Sequence, residues 1–248
     1  MNLAQALLMA GDWDGAEAEL AQAIDRDGLA DIEILSCYRA WLTALRGDVL
    51  AAQAALAGLS DLPTSEDPQD QALIAVAEAF TATARRQPEA ALGHARAALD
   101  HAAGLGIGHE FLRWAWPLAT RAAHDLSDAA TAAGLLAMLD RYRPGRLAPM
   151  QRAERDLARA RLTAADGGPD TAAAVFAAAI AGLRERSTPY HLAHGLLDHA
   201  EHLLRTGEAG AAAAAIGEAS GIADRLGCQP LLDRADATQA ARPRTTAS

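Results

Sequence analysis

The chain has 248 residues, 65 of them alanine, with ten aromatics and three valines, a composition that favours helix and offers little to a sheet. Its 22 basic residues are all arginine, set against 32 acidic ones for a formal charge of −10. The missing lysine excludes a phosphate-loop ATPase and any Schiff-base enzyme, and the acidic balance argues against a general nucleic-acid binder.

In chain order, six tight turns punctuate the sequence, at Gly11-Asp12, Gly47-Asp48, Arg86-Gln87, Ser127-Asp128, Gly167-Gly168 and Gly207-Glu208. Their first residues, the anchors, are spaced by 36, 39, 41, 40 and 40. Five residues after each anchor stands an alanine: Ala16, Ala52, Ala91, Ala132, Ala172 and Ala212. Seven before stand Ala4, Ala40, Ala79, Thr120, Ala160 and Ala200. Small residues at these places let two helices approach closely, and a larger residue nine after, such as Leu20, Leu136 or Phe176, fills the neighbouring groove.

The pattern predicts an all-α fold, a single domain over 1–240. Its six antiparallel hairpins span about 1–28, 30–62, 67–105, 108–144, 148–187 and 188–227, and a short C-terminal helix closes it. Two prolines and the N-cap candidate Ser65 mark the break after the second hairpin, and Pro117 is expected to kink its helix. Residues 241–248 read as a disordered tail. Residues 104–108, GLGIG, follow a helix rather than a strand, so they read as a glycine connector and not a dinucleotide loop. Leu3 and Leu7, at the open end of the array, want a partner.

This small-turn-small-large-small register resembles the tetratricopeptide repeat, best in 3–23, 160–179 and 200–219, although the spacing near 40 exceeds the usual 34. Longer, degenerate repeats of this sort resemble the superhelix of maltose-activator-type regulators, which implies a right-handed superhelix. The strings LARARL at 157–162, FAAAIAGLRE at 176–185, PYHLAHGLLDHAEH at 189–202 and IADRLGCQPLLDRA at 222–235 resemble the C-terminal end of large actinobacterial ATPase, cyclase-type or LuxR-type transcriptional regulators. That resemblance implies a sensor and scaffold role beside an ATPase or DNA-binding module, on the same chain or another. No residue here matches those modules' own motifs.

Chemistry-bearing residues are few. His191, His194, Asp198 and His202 share one helical face, but successive turns lie about 5.4 Å apart, too far for three ligands on one straight helix to converge on one ion. His199 reads as a packing residue. Arg141, Arg143, Arg146, Arg152, Arg155, Arg159 and Arg161 could receive an anion, or pair with Asp140, Glu154 and Asp156 on a solvated face. Phe111, Trp114 and Trp116 read as core. Cys37 and Cys228 stand alone and read as unpaired thiols in a reducing cytosol. Residues 1–11 lack the basic start of a signal peptide, so the expected location is cytoplasmic.

The expected function is therefore a non-catalytic interaction or sensor module with no cofactor and no metal, binding a protein or peptide but neither nucleic acid nor membrane. Its expected groove is lined by the first helix of each hairpin, through Glu154, Leu157 and Arg161 in the fifth and His194, Leu197, Asp198, Glu201 and Arg205 in the sixth. The alternative is a metal-assisted hydrolase built on the histidine helix 191–202.

Overall fold

The structure, a computed structural model, describes residues 2–27, 32–165 and 169–241. It is all-α. Among the described residues run α1 (Asn2–Ala10), α2 (Trp13–Asp27), α3 (Ile32–Arg46), α4 (Val49–Ala57), α5 (Pro68–Ala84), α6 (Pro88–Asp100), α7 (Ala102–Leu105), α8 (Glu110–Asp125) and α9 (Ala129–Asp140). They are followed by α10 (Pro149–Ala165), α11 (Pro169–Arg186), α12 (Pro189–Thr206), α13 (Ala209–Leu226) and α14 (Gln229–Ala240). Of the expected tail, all but Ala241 lies outside the described residues. Among the described residues, no helix is long and apolar enough to cross a membrane.

Local chemistry sets the helix limits. Asp12, Asp48, Asp128 and Thr188 each accept a backbone N–H three residues on, capping α2, α4, α9 and α12. Proline begins α5, α6 and α12, where its missing N–H costs nothing. The cap of α5 is Asp67, which accepts from Gln69; Ser65, the residue expected there, instead donates to Asp70 at 2.6 Å. Pro117 lies inside α8, which continues through it.

The repeat anchors share a backbone state. Gly11, Gly47, Arg86, Ser127 and Gly207 all have φ between 56° and 91°, the left-handed region that turns one helix into the next. Gly167 lies outside the described residues. The two anchors that are not glycine therefore hold a conformation an L side chain disfavours. Across each anchor, consecutive helices pack as pairs: α1 with α2, α3 with α4, α5 with α6, α8 with α9, α10 with α11 and α12 with α13. The small residues seven before the anchors are all buried at these contacts, Ala40, Ala79, Ala160 and Ala200 completely.

The first helices of successive pairs touch in sequence, α3 to α5, α8, α10, α12 and α14, and α14 returns to α3. The Cys228 thiol closes this ring by donating to the Leu45 carbonyl at 3.0 Å. Aromatic rings fill one end of the interior. Trp41 stacks on Phe80 at 5.0 Å and meets Trp114 edge-on at 4.9 Å, while Tyr190 contacts Trp13, Phe80 and Trp114. The helical pairing is compatible with a superhelix, but its inner face is not the open groove expected. Leu7 packs on this core, whereas Leu3 and Leu50 remain exposed.

Candidate functional site

From α3 to α12, one repeat position faces the ring interior. Six residues before the anchors stand Gln5, Trp41, Phe80, Arg121, Arg161 and Glu201. The interior thus changes from aromatic to charged along the array. At the charged end Asp198 of α12 is almost wholly buried, and three helices send a guanidinium to it. Arg121 of α8 donates through both terminal nitrogens, at 2.9 and 3.0 Å. Arg161 of α10 donates Nε–H at 2.8 Å and makes a second, shorter bond through Nη2. Arg234 of α14 donates at 2.6 Å and also reaches Glu201 at 2.8 Å. Burial alone would raise the Asp198 carboxyl, but the charges of Arg121, Arg161 and Arg234 outweigh it and hold the group well below the usual carboxylate range.

Beneath this cluster lies a cavity of about 20 Å³, room for one water-sized molecule, lined by Thr83, Arg121, Glu154, Tyr190, His191 and His194 among others. Glu154 is buried there and its Oε1 has no hydrogen-bond partner. Burial, only partly offset by Arg161 and Arg121, pushes its carboxyl up to about 7. Burial and the same two guanidinium groups push His191 down to about 3, so it stays neutral, with Nδ1 2.7 Å from the Thr188 hydroxyl.

The expected groove residues divide accordingly. Leu157 and Leu197 are fully buried core residues, not a docking surface; Leu157 packs against Gly195 of the neighbouring hairpin. Glu154, Arg161 and Asp198 are buried too, held in the charge cluster. His194 is half-buried with Nδ1 3.1 Å from Arg234 Nη1, Glu201 is half-buried, and Arg205 is exposed. The arginine run splits in two. Arg155 and Arg159 pair with Asp140 and Asp156 on an outer face, and only Arg161 turns inward.

The histidine helix does not assemble a metal centre of its own. His202 and His199 pack on the Phe176 ring at 5.2 and 5.4 Å. A different trio, His124, Asp198 and Glu201, brings one ligand atom each to within 4.8 Å of one another. Three guanidinium groups already surround that Asp198, so a cation arriving there meets like charge at close range. Cys37 and Cys228 are buried free thiols, and burial pushes both up to about 12, which makes them poor nucleophiles.

Arg121 and Arg234 are the site residues that sequence reasoning missed. Arg121 was findable, since it shares with Arg161 the position six before an anchor. Arg234 sits on the closing helix, beyond the last repeat, where no register pointed inward. Comparison with family models, curated proteins and solved structures finds no match to this chain.

Proposed function

We propose that the chain is a non-catalytic interaction and sensor module of the cytoplasm, the helical-repeat part of a signal-transduction ATPase regulator. Its protein or peptide partner engages the charged mouth of the ring between α12 and α14. One observation carries this reading. Glu201, Leu204, Arg205, Arg234 and Thr238 line an open recess of about 520 Å³ there, above a floor fixed by the Asp198 network. Arginine beside an apolar patch, on a preorganised base, is the composition that protein interfaces favour. An ATPase or DNA-binding module as the neighbour, on the same chain or another, follows from the resemblance of 157–235 to large regulators. The charge of −10 speaks against nucleic acid as a direct partner.

The test is a photo-crosslinking residue at Ala237 on the recess, with a second at Leu50, exposed on α4. An adduct with an ATPase or DNA-binding protein, formed from position 237 alone and lost in Glu201→Ala, supports the reading. The same adducts from both positions, or none from 237, overturn it. The competing metal-assisted hydrolase has only the His124–Asp198–Glu201 trio in its favour. Stoichiometric zinc, nickel or iron in the purified protein would put it first.

A further inference from the structure

The fourth hairpin breaks the packing rule of the others. Five residues after the anchor, Ala16, Ala52, Ala91, Ala172 and Ala212 are at most 2% exposed, whereas Ala132 is only half-buried. At this point a cleft of about 190 Å³ lies between α8, α9 and α10. Its walls are mainly methyl groups, from Ala123, Ala129, Ala132, Ala158 and Ala165, with Leu162 beside them. A dry apolar cavity of about 150 Å³ is large enough to take one benzene ring.

The same cleft reaches a cation. Arg161 lines it, is 7% exposed, and commits Nε and Nη2 to Asp198, which leaves Nη1 uncommitted. Its charge is also under-compensated. Burial and the neighbouring Arg121 weaken its hold on the proton more than Asp198 and Glu154 strengthen it, so its pKa falls where that of Arg121 rises. Asp128 is the carboxylate of the lining, and it is already engaged by the N–H and hydroxyl of Thr131 at the start of α9.

We infer that this cleft binds a small monocarboxylate with an apolar body of about one ring, its head on Arg161 Nη1 and its body against the alanine walls. A free dianion fits worse, because apart from Thr120, His124 and Ser127 the walls offer it only apolar groups, and Asp128 and Asp198 stand close by. The site goes beyond the partner reading above and stands whether or not a protein docks at the mouth.

Calorimetric titration with phenylacetate and hexanoate tests it, with 2-phenylethanol and inorganic phosphate as controls. Saturable binding of a carboxylate is expected, at least about tenfold tighter than either control, as one charge-assisted hydrogen bond supplies. Removing Arg161 would disturb the Asp198 network, so the locating variant is Ala132→Leu, which fills the cleft from its half-exposed wall. It should weaken carboxylate binding at least about tenfold with an unchanged far-ultraviolet spectrum. No saturable carboxylate binding at about 1 mM, equal affinity for 2-phenylethanol, or undiminished binding in Ala132→Leu would overturn the proposal. Loss of the crosslink at Ala237 would leave it intact, so the two readings fail separately.

Discussion

Arg161 and Asp198, 37 residues apart, meet through a 2.8 Å bond with both side chains almost wholly out of water. The pair has value because breaking it leaves a buried charge without its partner, not because ion pairs in general stabilise. Removing one side is the expensive change. Asp198→Ala would strand three guanidinium groups around an empty space and should cost about 3–5 kcal/mol. Asp198→Asn keeps the shape and part of the bonding, so it should lose less. Arg205→Ala, on the exposed rim, should stay within about 0.5 kcal/mol. Urea unfolding of the three variants checks the order, and an Asp198→Ala loss no larger than that of Arg205→Ala would refute it.

Glu154 adds a pH dependence of known sign. Its carboxyl is raised from 4.5 to about 7 by burial, against the opposing pull of Arg161 and Arg121. The folded chain therefore holds this proton more tightly than the unfolded one. The stabilisation is complete below pH 4.5 and is lost as pH rises through 7. Neutral, equally sized Glu154→Gln should thus stabilise the protein at pH 8 by roughly 2–3 kcal/mol and change little at pH 4.5. His191, held neutral down to about 3, pushes the other way, with stability rising as pH climbs from 3 to 6.5. The difference between wild type and Glu154→Gln cancels that contribution. Melting temperatures of both proteins across this range give the answer, and parallel curves would contradict it.

The helix pairs and their contact alanines were legible because they are local. A turn residue and its flanking small residues lie within about a dozen positions, so the spacing exposes them directly. Ring closure was not legible, since the bond from Cys228 to Leu45 spans 183 residues and neither residue carries a pattern. Groove residues were misjudged for the same reason: Leu157 and Leu197 have the right helical face, but packing between neighbouring hairpins, as where Leu157 meets Gly195 of α12, turns that face into core. Asp198 was singled out as a polar residue on the inner face, yet its three partners come from three other helices. Only the shared position of Arg121 and Arg161 hinted at them.

The anchors make a graded prediction about turns. Ser127 holds φ at 56° without the freedom of glycine, so Ser127→Gly should gain about 0.5–1 kcal/mol. Gly207 has φ of 86° and open space around it, so Gly207→Ala should lose about 1 kcal/mol through backbone strain alone. Gly47→Ala adds a collision, since its Cβ would lie 3.0 Å from Pro230 Cδ, and should lose about 2 kcal/mol or more. Thermal denaturation ranks the three. A stabilising Gly47→Ala would mean that α14 does not rest against this turn.

Gly195 tests whether α12 meets α11 as closely as the packing implies. It sits mid-helix in α12, where alanine would ordinarily be preferred by about 1 kcal/mol. A Cβ there would stand 2.5 Å from Leu183 Cδ1 and 3.2 Å from Ile180 Cδ1. Leu183 is completely buried and Ile180 nearly so, so both would have to shift within a close-packed interior. Overpacking of this kind costs about 1–3 kcal/mol, enough to cancel or reverse the propensity gain, so Gly195→Ala should be destabilising. Gly217 supplies the control. It lies in α13 with nothing within 4 Å of its Cβ direction, and Gly217→Ala should stabilise by about 0.5–1 kcal/mol. Opposite signs for the same substitution in two helices would show that glycine at 195 is a contact residue between α11 and α12. Two gains of equal size would remove it from that contact.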